Sequence, residues 1–111
     1  MRPVPPLGEF EQLVLLALLR LGADAYGASV STEIEQQTGR VVSVSAVHTT
    51  LDRLEEKGYV RSRLGEPTPQ RGGKRKRHYV VQPAGMRVLQ HAIRALRRLS
   101  DGLDDLLGET S

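Results

Sequence analysis

The chain has 111 residues, with 16 Lys and Arg against 13 Asp and Glu, so its formal net charge is +3. This length fits one domain with a modest core, and the basic balance favours an anionic partner. The absence of Cys excludes disulfides, thiolate metal sites and Cys nucleophiles. Aromatic residues make up 4% of the chain, which is too few for a base-stacking platform for single-stranded nucleic acid.

The first segment, residues 1–7, is rich in proline and is predicted to be a flexible arm. The apolar stretch that follows, Leu13–Leu21, is interrupted by Arg20 and is too short to span a bilayer. We therefore expect a cytoplasmic protein that makes no membrane contact.

Two helices are predicted next. The first, Gly8–Leu21, is apolar on nearly all sides, so either it forms the centre of the domain or a second subunit covers one face. In so small a domain we favour the second subunit. The second helix, Ala25–Thr38, has Asp24 as its predicted N-cap and Gly39 as its stop. Its predicted inward residues are Tyr26, Val30 and Ile34.

The segment from Ser43 to Gly58 is predicted to be a helix with two unlike faces, capped by Ser43 and ended by Gly58. At about 100° per residue, one stripe faces the core and comprises Val44, Val47, Leu51 and Leu54. The opposite face comprises Ser45, Thr49, Asp52, Arg53 and Glu56, with Ala46 and His48 on its flanks. Small polar side chains permit a close approach to a DNA major groove, although an ordinary amphipathic surface helix would show the same pattern.

A β-hairpin is predicted after this helix, with strands Tyr59–Leu64 and Arg77–Val81 joined by the turn-rich loop Gly65–Lys74. The loop and second strand carry five cations, namely Arg71, Lys74, Arg75, Lys76 and Arg77. Cations on a hairpin beside a candidate recognition helix favour contact with DNA phosphates. The alternatives are a solvated charge run or a localisation tag.

The last predicted helix has Pro83 as its first residue and continues from Ala84 to about Leu107. Its apolar stripe is too long for the core of so small a domain, so we expect it to pair with a second copy, helped by Phe10 and Leu13 of the first helix. Folding back onto the first helix of the same chain is the alternative. The stripe comprises Met86, Leu89, Ile93, Leu96, Leu99, Leu103 and Leu107.

Catalytic and metal-binding patterns are missing from the sequence. His48, His78 and His91 lie on separate elements, and none has a second ligand at metal-binding spacing. No nucleophile–base arrangement, phosphate loop or dinucleotide fingerprint is present. The sequence therefore predicts a protein that is not an enzyme, with no metal and no cofactor.

Taken together in chain order, these features resemble the PadR-like transcriptional regulators, over Leu7 to about Leu103. The resemblance implies a winged helix-turn-helix domain with a C-terminal dimerisation helix. It also implies that the protein binds palindromic operators and usually acts as a repressor of transcription. The matching residues are Leu18–Leu21, Ala25–Gly27, Thr38-Gly39, Leu51, Arg53–Gly58, Gly72–Arg75, Tyr79 and Gly85.

Two positions depart from the family pattern. His48-Thr49 stands where the family commonly has Tyr-Pro in the recognition helix, so base contacts are not carried over from the family. Gln82 stands where the family commonly has a Thr cap, and Pro83 can start the last helix by itself. Members of the family also sense ligands between subunits. This chain has no Trp and a single Phe, so we assign no ligand site and leave a small-molecule inducer open.

The sequence thus predicts a mainly helical fold with a small β-hairpin, in which residues 8–82 form a winged helix-turn-helix domain and residues 83–111 form a dimerisation helix and tail. We expect a homodimer that binds double-stranded DNA at a pseudo-palindromic operator and acts as a repressor. The alternative is a winged-helix protein-interaction module without DNA affinity. The predicted DNA-binding residues are Tyr26, Ser43, Ser45, Ala46, His48, Thr49, Arg53, Arg71, Lys74, Arg75, Lys76 and Arg77.

Overall fold

The computed structural model describes residues 6–65 and 75–108. The predicted arm, apart from Pro6 and Leu7, and most of the predicted loop, including Arg71 and Lys74, lie outside the described residues. In chain order the elements are α1 (Glu9–Leu21), a 3-10 turn (Gly22–Asp24), α2 (Gly27–Thr38), α3 (Val44–Glu56), β1 (Val60–Leu64), β2 (Arg77–Val81), α4 (Pro83–Ser100) and α5 (Asp104–Leu107).

Helix α1 lies at the centre of the domain and packs against α2, α3, α4 and β2. Its residues Val14, Leu15, Ala17 and Leu18 are buried. Only part of its apolar surface is covered, because Leu16 and Leu19 remain exposed in the single chain. The rest of the core is contributed by Leu7, Ala25, Val30, Ile34, Val47, Leu51, Leu54, Val60, Tyr79 and Leu89.

Helix α2 begins two residues later than its sequence predicts, and Asp24 is not its N-cap. Tyr26 holds the cap position, and its N–H donates to Ser29 Oγ at 3.0 Å. The reason is strand pairing: Ala25 O accepts from Tyr79 N–H at 2.9 Å, and Tyr26 forms a β-bridge with His78. Extended pairing with β2 therefore delays the helix. Val30 and Ile34 are buried as predicted, whereas Tyr26 is half-buried.

Helix α3 has the predicted cap and end. Ser43 Oγ accepts from Ala46 N–H at 3.0 Å, and Gly58 has a φ of 79° just after the helix. The buried stripe differs at its margin, because Val44 is 41% exposed and Thr50 is buried instead. The stripe is centred on Val47 and Leu54, so the first-turn residue Val44 lies at the edge of the core and the prediction that it faces the core is wrong.

The two strands form an antiparallel hairpin close to its predicted bounds. Val60 lies opposite Val81, and Leu64 lies opposite Arg77. Val60 and Tyr79 are buried in the core, and Ser62 lies on the same face as both of them because side chains alternate along a strand. The hairpin is joined to α4 through Gln82, whose N–H donates to Tyr59 O at 2.8 Å.

The predicted continuous helix to Leu107 is wrong, because α4 ends at Ser100. Asp101 is extended, with a ψ of 130°, and Gly102 has a φ of 80°, a left-handed conformation that only glycine adopts without strain. A separate one-turn helix, α5, follows. Leu103 and Leu107 therefore do not continue the apolar stripe of α4 along one helix axis.

Glu11 is a buried charged residue that ties α1 to α3. Its carboxylate accepts from Lys57 Nζ at 2.8 Å and from Gly8 N–H at 2.9 Å. Burial by itself raises the pKa of Glu11, but the bonds from Lys57 and Gly8 outweigh it, so the net pKa lies below its ordinary value of 4.5. The ionised carboxylate therefore stabilises the fold.

We expect Glu11→Gln to lower the free energy of unfolding at pH 7 by about 1–2 kcal/mol, because a neutral amide cannot form the ion pair with Lys57. The loss is limited to this range because Lys57 is partly exposed to solvent. Urea unfolding at pH 7 and at pH 3 measures this. A carboxyl whose folded pKa is lowered stabilises above its unfolded pKa. The advantage of the wild type should therefore be complete above about pH 4.5 and disappear as pH falls through the lowered folded pKa.

Glu9→Gln is the matched control. Glu9 lies two residues away on the same helix and pairs with Arg40 at 2.7 Å, but both side chains are well exposed. Its replacement should change the free energy of unfolding by less than about 0.5 kcal/mol. Equal losses in the two variants would contradict a special role for Glu11.

Candidate nucleic-acid interface

The outer face of α3 is set by the residues that α3 buries. Val47, Leu51 and Leu54 are fully buried, which fixes the rotation of the helix about its axis. The residues predicted to face outward are all exposed, and they are Ser45, Thr49, Asp52, Arg53 and Glu56. Ser43 and Ala46, at the start of the helix, are also exposed.

The single hydrogen of the Thr49 hydroxyl already takes part in a hydrogen bond within the protein. Thr49 Oγ1 donates to Ser45 O at 3.1 Å, a bond within the helix. Its oxygen lone pairs and its methyl group remain exposed to solvent. In this conformation Thr49 presents a hydrogen-bond acceptor and a small apolar group to an incoming surface.

His48 lies on the flank of α3 that faces the start of α2. A methyl group added to Gly27 would overlap the His48 imidazole, so the glycine permits this close packing. The imidazole also lies edge-on to Tyr79, with ring centroids 6.5 Å apart. His48 is exposed along one side, but its contacts with Gly27 and Tyr79 hold it against α2 and β2.

A chain of polar contacts fastens β1 and β2 to α3. Ser62 Oγ donates to Glu55 Oε2 at 2.7 Å, and Ser62 N–H donates to the same oxygen at 3.2 Å. Arg77 Nη1 donates to Ser62 Oγ at 3.0 Å. Burial raises the pKa of Tyr79, and the carboxylates of Asp52 and Glu55 raise it further against an opposing effect of Arg77.

Three of the predicted DNA-binding cations of the hairpin lie within the described residues, and each is held in a different way. Lys76 Nζ lies 3.9 Å from the centroid of the Tyr26 ring, a cation–π contact. Arg75 Nε donates to Gly65 O at 2.8 Å, and Arg77 bonds Ser62. Lys76 and Tyr26, predicted separately as DNA-binding residues, are therefore brought together. Arg71 and Lys74 lie outside the described residues.

The residues predicted for a dimer interface fall into three groups. Leu89 is buried in the core of its own chain, while Leu96 and Leu99 are 57% and 78% exposed. Pro6, Leu7 and residues of α4 line an apolar concavity of about 270 Å³ that includes both exposed leucines. Phe10, Leu13, Met86 and Ile93 are half-buried, and Leu103 and Leu107 are exposed on or beside α5.

Sequence reasoning missed two arginines and one buried carboxylate contact. Arg61 and Arg63 are exposed on β1, and their alternation with Val60 and Ser62 in the sequence is the signal that could have placed them on one face. The Glu11–Lys57 pair joins residues 46 positions apart, so no local pattern identifies it.

Within residues 6–65 and 75–108, no group of three or more His, Asp or Glu side chains is arranged to hold a metal ion. In that same part of the chain, no helix is both long and apolar enough to cross a membrane.

The fold is shared with several solved structures. A PadR family transcriptional regulator from Eggerthella lenta is 26% identical, with a TM-score of 0.67, and the match covers 92% of this chain and 88% of that one. A PadR-like transcriptional regulator from Bacillus cereus is 18% identical, with a TM-score of 0.70 and coverage of 91% and 93%. F93 from STIV, a winged-helix DNA-binding protein, is 15% identical, with a TM-score of 0.63 and coverage of 82% and 90%.

At identities of 18% and 15% the likeness shows the fold alone, and that fold is a winged helix, as the sequence predicts. No protein of the curated set matches the chain in sequence. The model of the transcriptional regulator PadR-like family matches residues 15–91, which include α2, α3 and the hairpin. Because this match covers more than half of the chain, the protein belongs to the PadR-like family of transcriptional regulators.

Proposed function

We propose that the protein is a homodimeric repressor that binds a pseudo-palindromic DNA operator through α3 and the hairpin. The observation that carries the proposal is the joint surface of the two elements. The N-terminal half of α3 exposes Ser45, Ala46 and Thr49 together with Val44 and His48. Lys76 lies on the Tyr26 ring, and Tyr26 directly precedes the Gly27 that packs on His48, so this cation lies beside the same half of the helix. Such a surface offers short side chains to base edges and cations to phosphates.

The charges on α3 indicate which end of it enters the groove. Asp52 and Glu56 are exposed on the C-terminal half of the outer face and would repel phosphates. Ser45, Ala46 and Thr49 carry no charge. We therefore place the N-terminal half in the major groove, with Ser43 at its entrance and Arg53 at its edge.

The direct test is binding of the full chain to a random-sequence duplex in fluorescence anisotropy at several salt concentrations. We expect affinity that falls steeply with salt, with a dissociation constant of about 10⁻⁴–10⁻⁶ M near physiological salt. A protein-interaction module without DNA affinity would show no binding even at low salt, and that result would overturn the proposal. Selection from a random duplex library then supplies the preferred site.

On the selected site, we expect Thr49→Val to weaken binding about fivefold, or about 1 kcal/mol. Valine keeps the methyl group but removes the acceptor that Thr49 presents, so a donor such as adenine N6 or cytosine N4 loses its partner. Affinity for random DNA should stay the same, and a titration on both duplexes measures the difference.

Thr49→Ser is the matched control, because it keeps the hydroxyl and removes only the methyl group. If Ser weakened site binding and Val did not, the methyl group would be the contact and the acceptor role would be wrong. Equal losses on both duplexes would instead assign Thr49 to the positioning of the backbone.

The dimer is proposed to form through the exposed apolar face of α4, with help from α1. Leu96 and Leu99 lie on one face of an 18-residue helix, and large apolar side chains exposed together indicate a surface that another chain covers. A two-fold pair would place two copies of α3 on half-sites about one helical turn apart, or a multiple of it.

We expect Leu96→Asp to give a monomer in sedimentation and to lose most of its preference for the selected site over random DNA. The change places an unpaired carboxylate in the proposed interface, which is costly. Leu96 is the better test residue than Leu89, because Leu89 belongs to the core of the protomer and its replacement would disturb folding.

Gln90→Asp is the control, since it adds the same charge to an exposed position of α4 away from the apolar face. It should leave the protein dimeric. A monomeric wild type, or a dimeric Leu96→Asp variant, would contradict the proposed interface. A monomer that kept full site preference would contradict the two-fold origin of specificity.

A further inference from the structure

The hairpin has a second, solvent-facing side that carries positive charge. The strand register places Arg61 opposite Val80 and Arg63 opposite His78, and directly opposed residues lie on the same face of a sheet. The other face carries Val60, Ser62 and Tyr79, which contact the core and α3. Arg61 and Arg63 therefore point away from the side of the hairpin that packs on α3, and both are exposed.

Residues of this face line a concavity of about 610 Å³. Gly22 and Ala23 of the 3-10 turn and Gln82 also line it. His78 joins β2 to the 3-10 turn, since its Nδ1 lies 3.1 Å from Ala23 O. A carbonyl oxygen only accepts, so Nδ1 is the ring nitrogen that carries the proton in this hydrogen bond. Among the described residues, the lining includes Arg61, Arg63 and His78 but no Asp or Glu.

The two arginines are not neutralised within the described part of the chain. The ion pairs found there involve Arg20, Arg40 and Lys57. Glu55, the carboxylate that bonds β1, lies on the other side of the sheet and is bonded to Ser62. Residues two apart on a strand are roughly 7 Å apart, so the guanidinium groups offer two separate phosphate contacts.

The concavity is continuous with the surface proposed to bind DNA. His78 forms a β-bridge with Tyr26, and their rings lie edge to face with centroids 5.8 Å apart. Lys76 covers the same Tyr26 ring. A positive surface therefore extends from the start of α2, through Lys76 and Tyr26, to Arg63 and Arg61 on the outer face of β1.

We propose that Arg61 and Arg63 bind backbone phosphates of the duplex that flanks the major-groove contact of α3, so that the outer face of the hairpin belongs to the DNA interface. This inference rests on the proposed function. The partner is assigned as duplex DNA because the acceptors required are a series of phosphates, and the DNA contact surface already lies at the end of the same face.

The test is the salt dependence of binding to a random-sequence duplex by the variant Arg61→Gln with Arg63→Gln. Each lost phosphate contact should reduce the slope of log K against log salt by about 0.9, so the slope should fall by about 1.8. Both residues are exposed, and unchanged thermal unfolding would show that the fold is retained. Arg61→Lys with Arg63→Lys keeps both charges and should keep the wild-type slope.

Arg94→Gln with Arg98→Gln is the matched control for net charge. These arginines are exposed on α4, away from the hairpin, and their loss removes the same two charges. We expect their slope to stay within about 0.5 of the wild type, because only direct contacts release counterions. A slope for the Arg61 and Arg63 variant equal to that of this control would overturn the inference.

A second measurement separates DNA phosphate from a free anion. Inorganic phosphate is titrated into the wild-type protein at constant ionic strength, and the amide resonances of Arg61 and Arg63 are followed by NMR. Saturable shifts at millimolar phosphate would identify a small-anion site and overturn the DNA assignment, whereas no saturation supports it. If the wild type bound no duplex, the proposed function and this inference would both fail. If it bound with an unaffected slope in the variant, only this inference would.

Discussion

The burial of Val47, Leu51 and Leu54 is the constraint on which the rest of the surface depends. These side chains are fully buried on α3, and any rotation of the helix that exposed one of them would cost about 1.5–3 kcal/mol of apolar burial. The cost fixes which residues face solvent. The exposure of Ser45 and Thr49 is thus a consequence of core packing, and the side chains that we propose to face the groove are positioned by the core residues of the same helix.

The hairpin is fixed to this helix by polar contacts as well as apolar ones. Glu55 binds both the N–H and the hydroxyl of Ser62, and Arg77 binds the same hydroxyl. Tyr79 fills the space between β2 and the flank of α3 that carries His48. The hairpin cations are therefore held at a set position relative to α3, which is what a binding site made from two elements requires.

The helices and strands could be predicted because each has a local pattern. The apolar spacing of α3, its Ser43 cap and the β-forming residues of β1 and β2 all lie within a few positions of one another. The start of α2 could not be predicted in this way, because it depends on pairing between Ala25 and Tyr79, which are far apart in sequence. The end of α4 is different, because Gly102 is a local stop signal that the long apolar stripe outweighed in the sequence prediction.

The candidate site shows the same division. Outward residues of α3 follow from helical periodicity, and the strand alternation of β1 contained the signal for Arg61 and Arg63. Contacts such as Lys76 with Tyr26 required the fold, since they join the hairpin to the start of α2 across 50 positions of sequence. Leu89 is a similar case. Leu89 and Leu96 belong to the same predicted apolar stripe of the last helix, but only the tertiary structure shows that Leu89 is a core residue and that Leu96 is exposed.

The distribution of charge gives the proposed DNA complex a defined orientation. Carboxylates of Asp52 and Glu56 occupy the C-terminal half of the outer face of α3, while Lys76, held on the Tyr26 ring, lies beside its N-terminal half. In the proposed complex the phosphates would be attracted by Lys76 and repelled by Asp52 and Glu56, so a docking that placed the C-terminal half of α3 in the groove would bring like charges together. Because the hairpin and α3 are fixed to each other, the repulsion cannot be relieved by a movement of one element alone. In the proposed complex, electrostatics would therefore set which end of α3 enters the groove, and the small uncharged residues near Thr49 would be left to discriminate between sequences.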